Sequence, residues 1–257
     1  MRPVIIGAGR GSRLQHKTEE VPKTMVPVMG RPMLDWILDA LERGGFQRRD
    51  VVFICGYAED VVRDRYPEFT FVRNSDWQNN NILLSLLCAR DYLQAGFVST
   101  YADIVYDGQI VEQLMHSEHD LVLGNDTDWR RRYVNRSQHP ESDGEKLRAD
   151  GNRVLEISRH IDSEAASGEF IGVLKASARG AATFLEHFDR VEKEFADQSE
   201  FREGRSFQKA YLIDLLQHML LSDVEMHCEN MHGGYMEIDT LEDLAQAQRW
   251  WDERREP

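Results

Sequence analysis

The sequence predicts an α/β fold in which a mostly parallel sheet is covered by helices on both faces. Two observations carry that reading. Short unbroken apolar runs alternate with stretches whose apolar residues recur every three to four positions. This is the pattern of strands buried on both faces and joined by crossover helices. No internal repeat and no Pro/Ser-rich linker interrupts the alternation over 257 residues, so a single domain spanning 1–257 is expected.

The elements follow in order. Pro3 to Ile6 is an apolar run ending in glycine, a strand with its exit turn. Met33, Leu34, Ile37, Leu38 and Leu41 share one helical face between Pro32 and Leu41, and Gly44-Gly45 closes that helix. Val51 to Cys55 is a strand, Ala58 to Tyr66 a helix, and Phe69 to Val72 a strand. Asn81 to Ala95 reads as one long apolar helix, with Asn79 or Asn80 as its cap. Val98 to Tyr101 and Leu121 to Leu123 are strands. From about Asp126 to Gly168 the chain turns polar, with a weak strand at Val154 to Ile157. That segment is expected to be a small antiparallel insertion, a lid on the core. Phe170 to Leu174 resumes a buried strand. Ala178 to Val191 and Ser206 to Leu221 are amphipathic helices, Val224 to Cys228 is a strand, and Leu241 to Trp251 closes the chain as a helix.

Charge narrows the function. There are 31 Lys and Arg against 45 Asp and Glu, a formal net charge of −14. A general nucleic-acid binder or a protein docked on anionic membranes would show the opposite balance, so neither partner is expected. Cys55, Cys88 and Cys228 are far apart and form no zinc-type cluster. No stretch approaches the roughly 20 apolar residues of a membrane span, and the run Val4 to Ile6 is too short for a signal peptide. A cytoplasmic protein with reduced thiols is expected.

The most informative stretch follows the first strand: Gly7, Ala8, Gly9, Arg10, Gly11, Ser12, Arg13 and Leu14. Closely spaced glycines let a backbone turn tightly and present its N–H groups to an anion, and arginines add charge-assisted donors that suit phosphate. The dinucleotide fingerprint GxGxxG fails because Ser12 stands where its last glycine belongs, and no Gly-Lys-Ser/Thr makes a P-loop. Downstream come Pro22-Lys23 and then Gly30-Arg31-Pro32-Met33-Leu34.

With these residues in this order, the sequence resembles the nucleotidyltransferases that activate sugars and small alcohols. That resemblance implies a Rossmann-like, nucleotide-diphospho-sugar transferase fold, in which an acceptor phosphate attacks a nucleoside triphosphate and pyrophosphate leaves. Both reactants are anions, so Arg13 and Lys23 are expected to grip the triphosphate and stabilise developing charge. Gly7 departs from the usual alanine, which suggests altered fit of the base. Asn81 and Ser85, four apart and hence on one helical face, resemble the base-reading helix of the phosphocholine and aminoethylphosphonate cytidylyltransferase subgroup. CTP is the nucleotide this implies, with a small phosphate or phosphonate acceptor. A sugar-1-phosphate uridylyl- or guanylyltransferase and a non-catalytic nucleotide sensor are the alternatives.

Asp103 ends the strand through Tyr101, and Asp239 lies in Glu237-Ile238-Asp239-Thr240-Leu241-Glu242-Asp243-Leu244. The resemblance makes these two the Mg²⁺ ligands, with Glu237 as a weaker third. Thr240 and Asp243 form a capping box for the last helix that would leave Asp239 free. On the acceptor side, Glu169-Phe170-Ile171-Gly172 leading to Lys175 resembles the same subgroup, which would place Lys175 on a phosphate and Glu169 near the acceptor. Trp129 and Tyr133 form either a wall for a choline-like cation or ordinary lid packing. Arg130, Arg131 and Arg132 form either a site for extra acceptor charge or a solvated face. A homodimer is compatible with the family.

Overall fold

The computed structural model describes residues 1–134 and 136–255. In chain order, β1 (Arg2–Ile6) is followed by a tight hairpin of β2 (Pro27–Val28) and β3 (Arg31–Pro32), then α1 (Met33–Arg43), β4 (Val52–Cys55), α2 (Glu59–Arg65) and β5 (Thr70–Arg73). Next come α3 (Ile82–Leu87), α4 (Arg90–Leu93), β6 (Phe97–Tyr101), β7 (Ile104–Tyr106), α5 (Gln109–His116) and β8 (Leu121–Asp126). The polar insertion holds β9 (Lys146–Asp150) and β10 (Arg153–Ser158). The chain closes with β11 (Gly168–Ala176), α6 (Ala178–Phe195), α7 (Leu212–Leu220), β12 (His227–Met231), β13 (Tyr235–Glu237) and α8 (Leu241–Arg255).

The central sheet has nine strands in the order β5-β4-β1-β6-β11-β8-β12-β10-β9. β1 pairs in parallel with β4 and β6, β4 with β5, and β8 with β12. β11 runs antiparallel to both neighbours, and the β9–β10 hairpin joins the far edge. The expected antiparallel insertion is therefore a hairpin that extends the central sheet.

Alternate residues of β1 feed two cores. Val4 and Ile6 face α3, α6 and α7, while Ile5 faces α1, α2 and α5, as the period-2 geometry of a strand requires. A smaller core joins Met33 and Val28 to Met236, Ile238 and Ala247 of the closing helix region.

Several expected elements differ. The helix expected over Asn81 to Ala95 is two short helices, because Ala89 leaves the helical basin (φ −93°, ψ 19°). Its cap is Asn81, whose Oδ1 accepts the Ile82 amide at 2.9 Å; Asn79 and Asn80 bond instead to Asp76 and Asn74. The helix expected from Ser206 begins only at Leu212, and the strand expected from Val224 begins at His227. The β7/β13 pair and α5 were not expected: β7 and β13 are only three residues each, too short for periodicity to register.

Candidate active site

The parallel strands deliver their C-terminal ends to one rim of the sheet, where ligands bind in open α/β folds. The glycine-rich loop leaves β1 at that rim. Among the described residues, no backbone carbonyl accepts the amides of Gly9, Arg10 or Gly11, which leaves them to meet an anion. Gly11 has φ +72°, and a Cβ there would fall 2.6–2.7 Å from the Lys23 stem. Glycine at this position is what lets Lys23 run under the loop. Gly7 has a different reason: a Cβ there would lie 2.5 Å from the Phe53 ring. Packing against this buried ring is a reason for the missing side chain that the sequence did not offer. Gly7→Ala should cost about 1–3 kcal/mol as overpacking and cost measurably less in a Phe53→Leu background. Chemical denaturation of the four proteins reads both values.

Lys23 is buried, and its Nζ donates to Asp103 Oδ2 at 2.7 Å and to Asp239 Oδ1. Arg13 reaches Asp239 Oδ2 from the solvent side. Strand pairing brings the two aspartates together. Asp103 follows β6, the β13–β7 pairing places Glu237 opposite Ile104, and the Ile238 amide donates to the Asp103 carbonyl at 2.9 Å. Asp239 does not cap the last helix. Asp243 Oδ2 accepts the amides of Asp239 and Thr240 at 2.9 and 2.8 Å, and Thr240 Oγ1 accepts the Asp243 amide at 3.2 Å. This is the capping box expected from sequence, and it leaves the Asp239 carboxylate for the site.

Charge is concentrated here. Burial alone would weaken the Lys23 charge, but Asp103, Asp239 and Glu237 outweigh it and raise its pKa above the usual lysine value. Burial would raise Asp239, but Lys23 and Arg13 hold it below the ordinary carboxylate range. Glu237 is pushed well up, first by burial and then by Asp239 and Asp103. His139 sits beside them, and His139, Glu237 and Asp239 each offer a ligand atom within 4.8 Å of the others. Arg136 fastens this part of the insertion, donating to Asp243 Oδ1 at 2.6 Å, to the Glu237 carbonyl at 3.0 Å and to His139 Nδ1 at 3.0 Å. His139 and Arg136 lie in the aperiodic insertion, where no motif marks them.

Two clefts meet at this cluster. One, of about 340 Å³, is lined by the loop from Ile6 to Arg13 excepting Arg10, by Lys23, and by Trp77, Asn81 and Ser85. The other, of about 390 Å³, is lined by Tyr101, Glu145, Arg159, Phe170, Tyr211 and Glu237, among others. Arg13, Asn81, Ile82, Asp103 and Asp239 line both.

The remaining expected residues separate. Gly7, Ala8, Gly9, Gly11, Ser12, Asn81 and Ser85 line the first cleft, but Arg10 stacks on the Tyr57 ring at 5.3 Å and does not. Lys175 is a correction. It pairs with Val98 and Val122, at the N-terminal ends of β6 and β8, away from the reactive rim. Its Nζ donates to the carbonyls of Ser117 and His119, so it ties a loop and reaches neither cleft. Trp129 and Tyr133 are buried and pack edge to face at 5.8 Å outside both clefts, which is the lid-packing alternative.

Arg132 is neither a solvated face nor an acceptor site. It is buried, donating to Asp126 Oδ2 at 3.2 Å and Glu169 Oε2 at 2.6 Å. Glu169 lines the second cleft but is committed to Arg132 and to the Tyr133 hydroxyl at 2.9 Å. In the Glu169 to Lys175 segment, Gly172 has φ +77°, and a Cβ there would lie 2.4 Å from the Tyr101 ring. That glycine seats Tyr101 in the cleft wall.

The chain is similar to known proteins over most of its length. The CTP:phosphoglutamine cytidylyltransferase of Campylobacter jejuni is 24% identical over 254 residues, 95% of this chain and 98% of that one. The 2-aminoethylphosphonate cytidylyltransferase of Lancefieldella rimae is 32% identical over 96 residues, 36% of this chain and 38% of its own. The solved CTP:phosphocholine cytidylyltransferase of Streptococcus pneumoniae superposes with a TM-score of 0.71 at 21% identity, covering 98% of this chain and all of that one. The model of the MobA-like NTP transferase domain matches residues 3–160, more than half of the 257 residues. The chain therefore belongs to the MobA-like NTP transferase family and is a nucleotidyltransferase.

Proposed function

We propose that the protein transfers a cytidylyl group from CTP to a small phosphate or phosphonate monoester and releases pyrophosphate. The observation that carries this reading is the pair of adjoining clefts that share Arg13, Asp103 and Asp239 at their seam. A two-substrate displacement needs such a seam, with one anion on each side and charge stabilisation between them. The curated relatives named above support the cytidylyl assignment by their own activities.

The first cleft offers a reason for cytosine. Asn74 Nδ2 donates to Ser85 Oγ at 2.9 Å, and Asn74 Oδ1 is fixed by Asn80 Nδ2 and the Asp76 amide. With its oxygen so engaged, the Ser85 hydroxyl has its proton left to donate into the cleft. Cytosine N3 accepts such a proton, whereas uracil N3 carries its own.

In the reaction an oxygen of the ionised acceptor attacks the α-phosphorus and forms a P–O bond. The bond from that phosphorus to the bridging oxygen breaks, and its electron pair leaves with pyrophosphate. No proton has to move and no protein nucleophile is needed. Lys23, Arg13 and the free loop amides hold the triphosphate and the developing negative charge.

The residues also fit a divalent cation. Asp103, Asp239 and Glu237 supply hard oxygen donors of the kind Mg²⁺ prefers, and Asp103 Oδ1 is buried with no hydrogen-bond partner among the described residues. Bound there, Mg²⁺ would neutralise the triphosphate and polarise the α-phosphoryl group.

A panel of CTP, UTP, GTP and ATP, read by pyrophosphate release with a mixture of small phosphate and phosphonate acceptors, tests the assignment. CTP should be used at least about tenfold better than UTP, the scale of one or two hydrogen-bond differences. Preference for UTP with sugar 1-phosphates would overturn it.

A further inference from the structure

We propose that the second cleft recognises an amino-acid head. Besides its phosphate, the acceptor would carry an ammonium group held by Glu145 and a carboxylate held by Arg159. The proposal rests on the transfer reading above and names the acceptor class for it.

The first argument is the pairing of charges in the cleft. Asp143 is paired with Arg159, Glu169 with Arg132, and Asp103 and Asp239 with Lys23 and Arg13. Glu145 differs. Its carboxylate accepts one hydrogen bond, from the Tyr101 hydroxyl at 3.0 Å, and no lysine, arginine or histidine pairs with it among the described residues. A shielded carboxylate without a cation is costly to ionise. Burial, with Glu237 adding to it, pushes this group up to about 8. A ligand ammonium would supply the missing charge. Tyr101, seated by Gly172, and Phe170, edge to face with it at 6.0 Å, give that ammonium aromatic walls.

The second argument is the unused capacity of Arg159. Nη2 is held by Asp143, and Nη1 donates to the Tyr211 hydroxyl at 3.3 Å. The guanidinium carbon lies 5.4 Å from the Tyr211 ring centre. A guanidinium has five N–H donors in a planar fork, so donors remain after both contacts. That fork matches a carboxylate. Arg159 and Glu145 sense one another, since the arginine charge opposes the rise of the Glu145 pKa. A cation, and a carboxyl that a ligand ammonium would bring into its charged form, line one cleft and are together complementary to a zwitterion. A quaternary ammonium would offer methyl groups where Glu145 needs N–H donors and would leave Arg159 unmatched.

The test is a length series of phosphorylated α-amino acids, each paired with its decarboxylated counterpart, with phosphocholine as the quaternary control. With CTP and Mg²⁺, the best amino acid should exceed its counterpart by at least about tenfold in kcat/KM, the scale of a charge-assisted hydrogen bond. In Arg159→Gln that preference should collapse, with kcat/KM for the amino acid falling about tenfold further than for its counterpart. Glu145→Gln should weaken amine-bearing acceptors relative to deaminated ones.

Equal use of paired acceptors would overturn the proposal. So would an equal loss on both in Arg159→Gln, which would mean that the arginine grips the common phosphate or only supports the fold. Calorimetric titration of the same pairs separates this proposal from the one beneath it. Arg159-dependent preference in binding with no turnover would sink the transfer reading alone. Turnover with no preference would sink the amino-acid head alone.

Discussion

Asp239→Asn is expected to lower nucleotidyl transfer by about 10³-fold or more while the protein stays folded. Asp239 is the one carboxylate that touches everything at the seam. It accepts from Lys23 and Arg13, lies within reach of His139, and lines both clefts. Asparagine keeps the shape and one acceptor oxygen but removes the negative charge that attracts a divalent cation and orients both basic residues. Loss of a hard ligand and of that orientation amounts to several kcal/mol of charge stabilisation, and each 1.36 kcal/mol is tenfold in rate.

The fold has less to lose. Lys23 keeps Asp103 as a partner at 2.7 Å, and Glu237 is relieved of the Asp239 charge that helps push its pKa up. Saturating-CTP kinetics over a Mg²⁺ series, with Mn²⁺ binding by calorimetry and a melting curve, check the outcome. Wild-type turnover with unaltered metal affinity would remove Asp239 from the site.

How much of this was legible in the sequence depended on whether a residue's role is local. The loop from Gly7 to Arg13, Lys23 and the Thr240–Asp243 capping box are short-range patterns, and their chemistry follows from backbone geometry within a few residues. Asp103 was legible because a strand end in an α/β sheet is a place with a known orientation. The second cleft was not. His139, Glu145 and Arg159 come from the insertion, where no 2 or 3.6 periodicity fixes which side chains face inward. Their neighbours Tyr101, Tyr211 and Glu237 come from distant elements. Lys175 shows the opposite error: a motif resemblance gave it a role without the direction of the strand that carries it. Once β11 runs antiparallel to β6 and β8, its last residues point to the wrong end of the sheet. Of the arginine run, Arg130 and Arg131 form the solvated face, and Arg132 alone was misjudged, since Asp126 and Glu169, which pair with it, are brought together by the β8–β11 pairing.

Removing Lys23 should have two separable effects. Lys23→Ala is expected to cut turnover by on the order of 10²-fold or more, the cost of one charge-stabilising donor. The second effect is on stability. Without the lysine, Asp103, Asp239 and Glu237 face one another with Arg13, His139 and Arg136 as their remaining basic neighbours, and Arg13 is largely exposed. Breaking a buried pair in this way costs about 3–5 kcal/mol.

The pH dependence follows from the sign of each shift. In the wild type the Lys23 pKa is raised, so its contribution is fully present below the usual lysine value of 10.5 and is lost only as pH rises through the higher folded value. In the variant the crowded carboxylates should titrate above their unfolded values. The folded state then holds more protons than the unfolded state near neutrality, and stability falls as pH rises through that window. The melting temperature of Lys23→Ala should therefore drop from pH 5 to pH 8 more steeply than that of the wild type. Mg²⁺ should restore it by binding the same oxygens. Lys23→Met, which keeps the stem beneath Gly11, should show the same pH and Mg²⁺ dependence with a smaller loss at pH 5. A melting temperature in Lys23→Met that ignores both pH and Mg²⁺ would show that Lys23 is not what neutralises the three carboxylates.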